Sequence, residues 1–534
     1  MRGSRTFLLA VALLLGLGFG ALPVSEARPG GGNSYRGSSS SRSSSGSRSS
    51  SSSGSRSSSF GSSSRSSSSS GSRSYASSSG GESSSSGGGG ANGTVFVMPL
   101  VVAVVLLLAI RAKSRSDEEE WSTTAPKAPP PRRQDSLRAK LEGLARVGPR
   151  GSDGRSQPLD PDFSIVLFED FVYSLFARVH EARGGDRLDT LGGWLSDGAI
   201  ASLRELGTPD AVKAVVVGAT TYESVEGVGA KSRRVRVVLR FEANYTEVSR
   251  SEQSWYVAEE WRLERGAFVK SRPPEDVRAF KCPHCGAPLD AVQGNTCSYC
   301  NTVVNTGGYD WVVTRVTSRE RERRGPQLIG TTEEEGTELP TVKDPHARER
   351  MDALRKEDPS ATAMAVRKRL EFIFGEMQTA WSQREWQGMR PFLSDNLFQT
   401  QLYWINAYRQ AGLRNITEDA RITGVTLARV TRDAYFDAVT LRMHAVSLDY
   451  TVRDQDGQVV GGSRTRERAY SEYWTLIRGR GVKGSPSTRK ACPSCGAPLS
   501  INMAGHCTHC QARVVSGEFD WVLSRIEQDE SYQG

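Results

Sequence analysis

CPHCGAPL at residues 282–289 and CPSCGAPL at residues 492–499 are one octapeptide written twice, 210 positions apart, with a single difference. Each opens a set of two Cys-x-x-Cys pairs. All eight cysteines therefore fall into two quartets: Cys282, Cys285, Cys297, Cys300 and Cys492, Cys495, Cys507, Cys510. In both quartets two residues separate the members of a pair and eleven separate the pairs. Four thiolates at this spacing are what a tetrahedral Zn2+ ion requires, and four protein ligands leave no position for water. The spacing predicts two structural zinc sites, with iron as the alternative metal. His284, His506 and His509 lie inside the knuckles and read as exposed neighbours, because the cysteines already suffice. Pro283, Gly286, Pro493 and Gly496 shape the turns that aim amide N–H groups at sulfur.

The duplication extends outward from the cysteines. Downstream of the quartets stand Tyr309-Asp310-Trp311-Val312 and Phe519-Asp520-Trp521-Val522. Upstream, Phe163, Val166, Leu167, Phe171, Leu175 and Val179 form an apolar stripe at helical spacing, broken at Gly184-Gly185. Trp194-Leu195-Ser196-Asp197 opens a second helix with Asp197 as its expected cap, closed by Gly207-Thr208-Pro209. The period then falls from 3.6 to 2, giving strands near 212–221, 235–241 and 255–263. The second copy keeps this order. A helix over 367–386 carries Leu370, Ile373, Phe374, Met377 and Trp381, and Phe392-Leu393-Ser394-Asp395 opens a helix running over 397–410. Strands follow at 422–430, 436–449 and 465–478. Helices first and an antiparallel meander after them define an α+β class, and each copy is expected to end in its zinc ribbon.

The amino-terminal arm is of another kind. Residues 1–116 hold eleven arginines and one lysine against two glutamates, a net of +10, so the rest of the chain carries −1 of the total +9. A near-neutral folded part disfavours a broad nucleic-acid footprint. Residues 1–27 read as an export signal, with Arg2 and Arg5 before an apolar run and Ser25-Glu26-Ala27 at the cleavage point. Residues 28–93, almost wholly Ser, Gly and Arg, form a disordered tether with too few apolar side chains to fold. Residues 94–110 are uncharged and long enough for one transmembrane helix. Arg111, Lys113 and Arg115 follow at once, which places the carboxyl-terminal domains in the cytoplasm and the tether outside. The reducing side of a membrane also suits cysteines that bind metal rather than pair as disulfides. Residues 111–158 read as a linker, interrupted by a short amphipathic helix at Leu137, Leu141 and Leu144.

Taken in this order, the export signal, the tether, the single anchor and the Trp/Phe-Leu-Ser-Asp helix followed by three strands resemble bacterial membrane proteins with a mitochondrial import inner membrane translocase subunit 44-like domain. The resemblance implies two cone-shaped α+β domains of the nuclear transport factor 2-like superfamily, at 159–272 and 363–482. Ribbons at 278–314 and 488–526 follow them, and a charged, mobile spacer over 315–362 stands between. It also implies a membrane-proximal binding or scaffold role with a protein partner, not a reaction. The other reading is an enzyme or small-molecule carrier using a cone cavity, with Asp170, Glu259, Glu260 and His444 as its acid–base candidates. No acid or base was found at equivalent places in both copies, which favours binding. Arg233, Arg234, Arg236 and Arg240 form a stripe that could face anionic lipid or an acidic partner. Trp255, Tyr256, Trp261, Tyr473 and Trp474 read as core.

Overall fold

The computed structural model describes residues 136–149, 157–326, 328, 337–502, 505–515, 517–529 and 531–534. The expected signal, tether, membrane span at 94–110 and most of the linker lie outside them. Among the described residues no helix is long and apolar enough to cross a membrane.

The described chain is a mixed α/β structure whose two halves repeat one order of elements. Helix α1 (Leu137–Glu142), the amphipathic turn expected in the linker, starts where Ser136 Oγ accepts the Ala139 N–H; it buries Leu141, and the turn after it buries Leu144. Helix α2 (Ile165–Arg183) is capped by Ser164 and lays Phe171, Leu175, Phe176 and Val179 into the core. Helix α3 (Asp197–Glu205) is capped by Ser196 rather than by the expected Asp197. Ser196 holds the extended backbone a cap needs (φ −76°, ψ 160°), and its Oγ accepts from Ala199 N at 3.2 Å. Asp197, one residue inside, serves the positive end of the helix dipole instead.

Strands β1 (Ala211–Glu226), β2 (Arg234–Val248) and β3 (Glu252–Gly266) form the expected meander. A short helix α4 (Pro274–Arg278) and the first cysteine knuckle, with hairpin strands β4 (Val292–Gln293) and β5 (Thr296–Cys297), come next. The chain then returns to the sheet as β6 (Val312–Glu322), paired antiparallel with β3 in the order β1-β2-β3-β6. The second half repeats this with α5 (Ala347–Glu357), α6 (Ala363–Gln383), α7 (Asp395–Gln410), β7 (Leu413–Arg432), β8 (Phe436–Arg453), β9 (Val459–Gly479) and β10 (Val522–Gln528). Its sheet order is β10-β9-β8-β7.

Two expectations change here. The knuckles are not appended to the ends of the copies; each is an insertion between the third and fourth strands of its sheet. The charged segment over 315–362 is not a spacer either. It supplies most of β6, and Val342 N donates to the Tyr473 hydroxyl at 2.8 Å. Asp344 N donates to the Ala428 carbonyl at 2.8 Å, and α5 buries Met351 and Leu354. Among its described residues the charges of β6 and α5 sit on outer strand and helix faces, which a composition count cannot tell from a solvated linker.

The recurring Asp-Trp-Val is the point of re-entry. Asp310 and Asp520 each accept the N–H of the following tryptophan, at 2.8 and 2.7 Å, and both indoles are buried. The strand then meets the other recurring motif: Ser196 N donates to Val313 O and Ser394 N to Leu523 O, both at 2.9 Å. The two motifs that betray the duplication are therefore the two sides of one junction.

The halves share apolar surface. Phe436, Ala438, Ile477 and Val522 of the second half are buried in the same cluster as Leu141, Leu144 and Phe171 of the first. Over 234–242 strand β2 alternates buried residues with exposed or half-buried ones, as a strand with one wet face should, whereas β8 is buried almost throughout.

Candidate metal centres

In each quartet the four sulfurs lie within 4.8 Å of one another, and the groups contain no histidine. Cys285 and Cys297 Sγ are 3.8 Å apart, as are Cys492 and Cys510 Sγ. A tetrahedron of thiolates about 2.3 Å from a central ion sets its sulfurs about 3.8 Å apart, so both quartets fit a tetrahedral metal. All eight cysteines are free thiols.

The turns that converge them follow from local sequence. Gly286 N donates to Cys282 O and Gly496 N to Cys492 O, both at 2.9 Å, with both glycines at positive φ (76° and 73°). The second pair of each quartet turns through Asn301 (φ 52°) and Gln511 (φ 61°). Thiols this close compete to ionise. The Thr302 hydroxyl, aided by His284, draws Cys300 down to about 6. The Ala287 amide favours the Cys285 thiolate, but burial and hydrogen bonding to the other cysteines outweigh it and push that thiol up to about 12. The same asymmetry recurs in the second knuckle, where Cys510 falls to about 7, led by the Ala512 amide. His284 is exposed, with Nδ1 3.3 Å from the Thr302 hydroxyl and its ring edge-on to Tyr309.

Each knuckle is seated on its own half. Gly294 N donates to Asp189 O, and a Cβ on Gly192 would stand 2.0 Å from the Gly294 carbonyl oxygen, so glycine is required at that contact. In the second half Arg513 pairs with Asp395 at 2.6 Å. At each re-entry point lies a buried ion pair: Arg265 with Asp160 and Arg478 with Asp358, both at 2.8 Å. Their guanidiniums stack over Trp311 and Trp521 at 4.8 and 4.6 Å. An Asp, an Arg and the re-entry Trp thus recur as a unit in both halves, hidden in the sequence because the Asp and the Arg are more than a hundred residues apart.

A second correction concerns the acids. Glu259 and Glu472 do recur: both are fully buried, and each accepts from the indole N–H two residues on, Trp261 at 2.9 Å and Trp474 at 2.8 Å. The shared Glu-x-Trp is visible in the sequence when Trp261-Arg262-Leu263 is set against Trp474-Thr475-Leu476. Glu259 also meets His180 Nε2 at 3.2 Å, a histidine the sequence did not single out. Burial alone would raise the Glu259 carboxyl, but His180 and the Trp261 N–H hold it below its ordinary value. The other candidates are dispersed. Asp170 pairs with Arg278 at 3.5 Å and Glu260 with Arg319 at 2.5 Å. His444 is half-buried, its pKa lowered by burial and by Arg442. The arginine stripe is matched by carboxylates: Arg236 meets Glu264 at 3.2 Å and Arg240 meets Glu320 at 3.5 Å. Two hollows lie elsewhere: an open groove along α3 at Asp189, Ile200 and Arg204 and a small void beside Glu169 and Tyr222. Neither reaches Glu259, His180 or Glu472.

Between the halves lies a charged network that is largely shielded from solvent. Arg138 of α1 donates to Glu169 and to Glu527, both at 2.9 Å, and Arg525 pairs with Glu169. Burial would raise Glu169, but the two guanidiniums and the Tyr222 hydroxyl keep it below the usual carboxylate range. Glu142 accepts from Arg429 at 2.6 Å. Helix α1 is therefore a clasp whose polar side chains bind both halves.

Comparison with known families matches residues 347–487 to the Tim44-like domain. No curated protein matches the chain. The matched span runs from α5 through β9 to the threshold of the second knuckle, so that half carries a Tim44-like domain followed by one of two four-cysteine groups able to hold a metal.

Proposed function

We propose that this chain is a membrane-anchored binding scaffold built from two Tim44-like modules of cone-shaped, nuclear transport factor 2-like fold, each locked by a structural Zn2+ ion. The Tim44-like match at 347–487 carries the reading. The first half is assigned to the same domain type because it repeats the element order, the capped Ser, the Asp-Arg-Trp unit and the knuckle. Thiolate quartets with no further ligand suit zinc in a structural role, and the knuckles act as rivets that close a long insertion between two strands. The uncharged run at 94–110 and the basic residues after it supply the anchor, with the described modules on the cytoplasmic side. The partner is a protein at the membrane.

The acid–base alternative has its groups in Glu259 and His180, but they are packed among Phe176, Tyr245 and Trp261, and neither of the two hollows described above reaches them. A binding role needs no such opening. The test is fractionation and topology of the full chain carrying a carboxyl-terminal tag. The scaffold reading expects the chain in membranes, released by detergent but not by high salt, with the tag digested only from the cytoplasmic face. Recovery in the salt-soluble fraction, or a tag digested from outside, overturns it.

A further inference from the structure

The two sheets turn corresponding faces to different fates. On the face of the second sheet away from its own helices lie Phe436, Ala438, Thr440, Ile477, Thr475, Val522 and Arg525, related by the strand pairings Ala438 to Ile477 and Thr475 to Arg525. That face is covered. Phe436, Ala438, Ile477 and Val522 join the core of the first half, and Arg525 reaches Glu169 on α2. In effect the second sheet docks on a helix of the first half and takes hold of its carboxylate.

The equivalent face of the first sheet is open. With Leu239 set against Leu441, Trp261 against Trp474 and Trp311 against Trp521, Phe436 corresponds to Arg234, Ala438 to Arg236, Thr475 to Arg262 and Arg525 to Arg315. Arg234, Arg236, Arg262 and Arg315 are all exposed. Arg262 and Arg315 stand directly opposite each other across β3 and β6, and neither has a carboxylate within ion-pair distance among the described residues. Like charges directly opposed destabilise a sheet. The surrounding arginines each have a glutamate: Arg236 with Glu264, Arg240 with Glu320, Arg319 with Glu260.

We propose that this open face, centred on Arg262 and Arg315, docks a helix of a partner protein that presents carboxylates, in the manner in which the second sheet holds Glu169. The proposal deepens the scaffold reading and rests on it. Three observations select the occupant. The glutamates interleaved among the arginines would repel an extended polyanion, so neither nucleic acid nor an anionic bilayer fits the whole face. A second copy of this chain is disfavoured as well. The place of Glu169 on α2 is taken on α6 by Arg367, counted from the caps Ser164 and Thr362, and Arg367 would meet Arg315 with like charge. Finally, the position of Arg315 is the one from which Arg525 engages a helix carboxylate inside this molecule.

The internal occupant supplies the probe: a synthetic peptide of residues 165–183 with a fluorophore, titrated with the full-length protein in detergent. We expect saturable binding that weakens with salt. It should fall at least tenfold in Arg262→Glu/Arg315→Glu and also with a peptide carrying Glu169→Lys, while thermal unfolding stays unchanged. Arg421→Glu, an exposed arginine of β7, should leave binding as it was. The proposal is overturned if the peptide does not bind, or if the double reversal leaves binding unchanged. It is equally overturned if a DNA duplex or phosphatidylglycerol vesicles bind the full-length protein in a way that the double reversal abolishes. Membrane anchoring does not enter this titration, so failure here leaves the fractionation result standing, and failure there leaves this one.

Discussion

Asp160 and Arg265 meet in the interior beside Trp311, as Asp358 and Arg478 do beside Trp521. A pair of this kind adds little net stability over an apolar pair, but removing one partner strands a charge in the core. Asp160→Ala should therefore cost about 3–5 kcal/mol in denaturant unfolding, and a smaller loss in the double variant Asp160→Ala/Arg265→Met would show that the cost is the orphaned guanidinium. Glu259 gives a pH dependence. Its folded pKa lies below the ordinary value of 4.5. At higher pH the carboxylate is ionised in both states and its contribution is complete. As pH falls below about 4.5, the unfolded chain takes up the proton first and stability is lost until the folded carboxyl titrates too. Unfolding midpoints measured downward from pH 6 should show a shallower acid loss in Glu259→Gln than in the parent protein.

Among the elements, helices α2 and α6 and the two meanders were legible because their apolar spacing is strong, and α2 also ends at a glycine pair. The metal quartets were legible for a different reason: cysteine spacing encodes its own geometry. What stayed hidden was everything that depends on return. Strands β6 and β10 follow a knuckle of some forty residues and pair with strands formed long before, and in β6 their outward arginines and glutamates imitate a linker. The fourth strand's dependence on the knuckle is testable. Chelating the metal should accelerate amide exchange in β6 and β10 while β2 and β8 stay protected, since only the fourth strands are held by the insertion. Uniform exchange across both sheets, with or without chelator, would deny the rivet. The caps make a smaller claim. Ser196→Ala and Ser394→Ala should each cost about 1 kcal/mol, and Asp197→Asn much less, because Asp197 is not the cap.

For the whole described region, the decisive feature is that one half lies on the other through β8, β9 and β10, with α1 as a clasp. No periodicity reports this: Phe436 and Ile477 look like ordinary strand residues until the burial of both faces of β8 is seen. Phe436→Ala removes a side chain that is almost fully buried between the halves and should cost about 3–5 kcal/mol. The loss should appear as a split of one calorimetric transition into two, as the halves begin to unfold separately. The account as a whole stands on metal closing both insertions, and the most direct measurement is elemental analysis of the purified full-length protein. It should hold two zinc ions per chain, one ion in Cys285→Ser/Cys300→Ser or in Cys495→Ser/Cys510→Ser, and eight reactive thiols after denaturation with chelator. A metal-free protein that is fully folded, with its cysteines titrating as four disulfides, would contradict it.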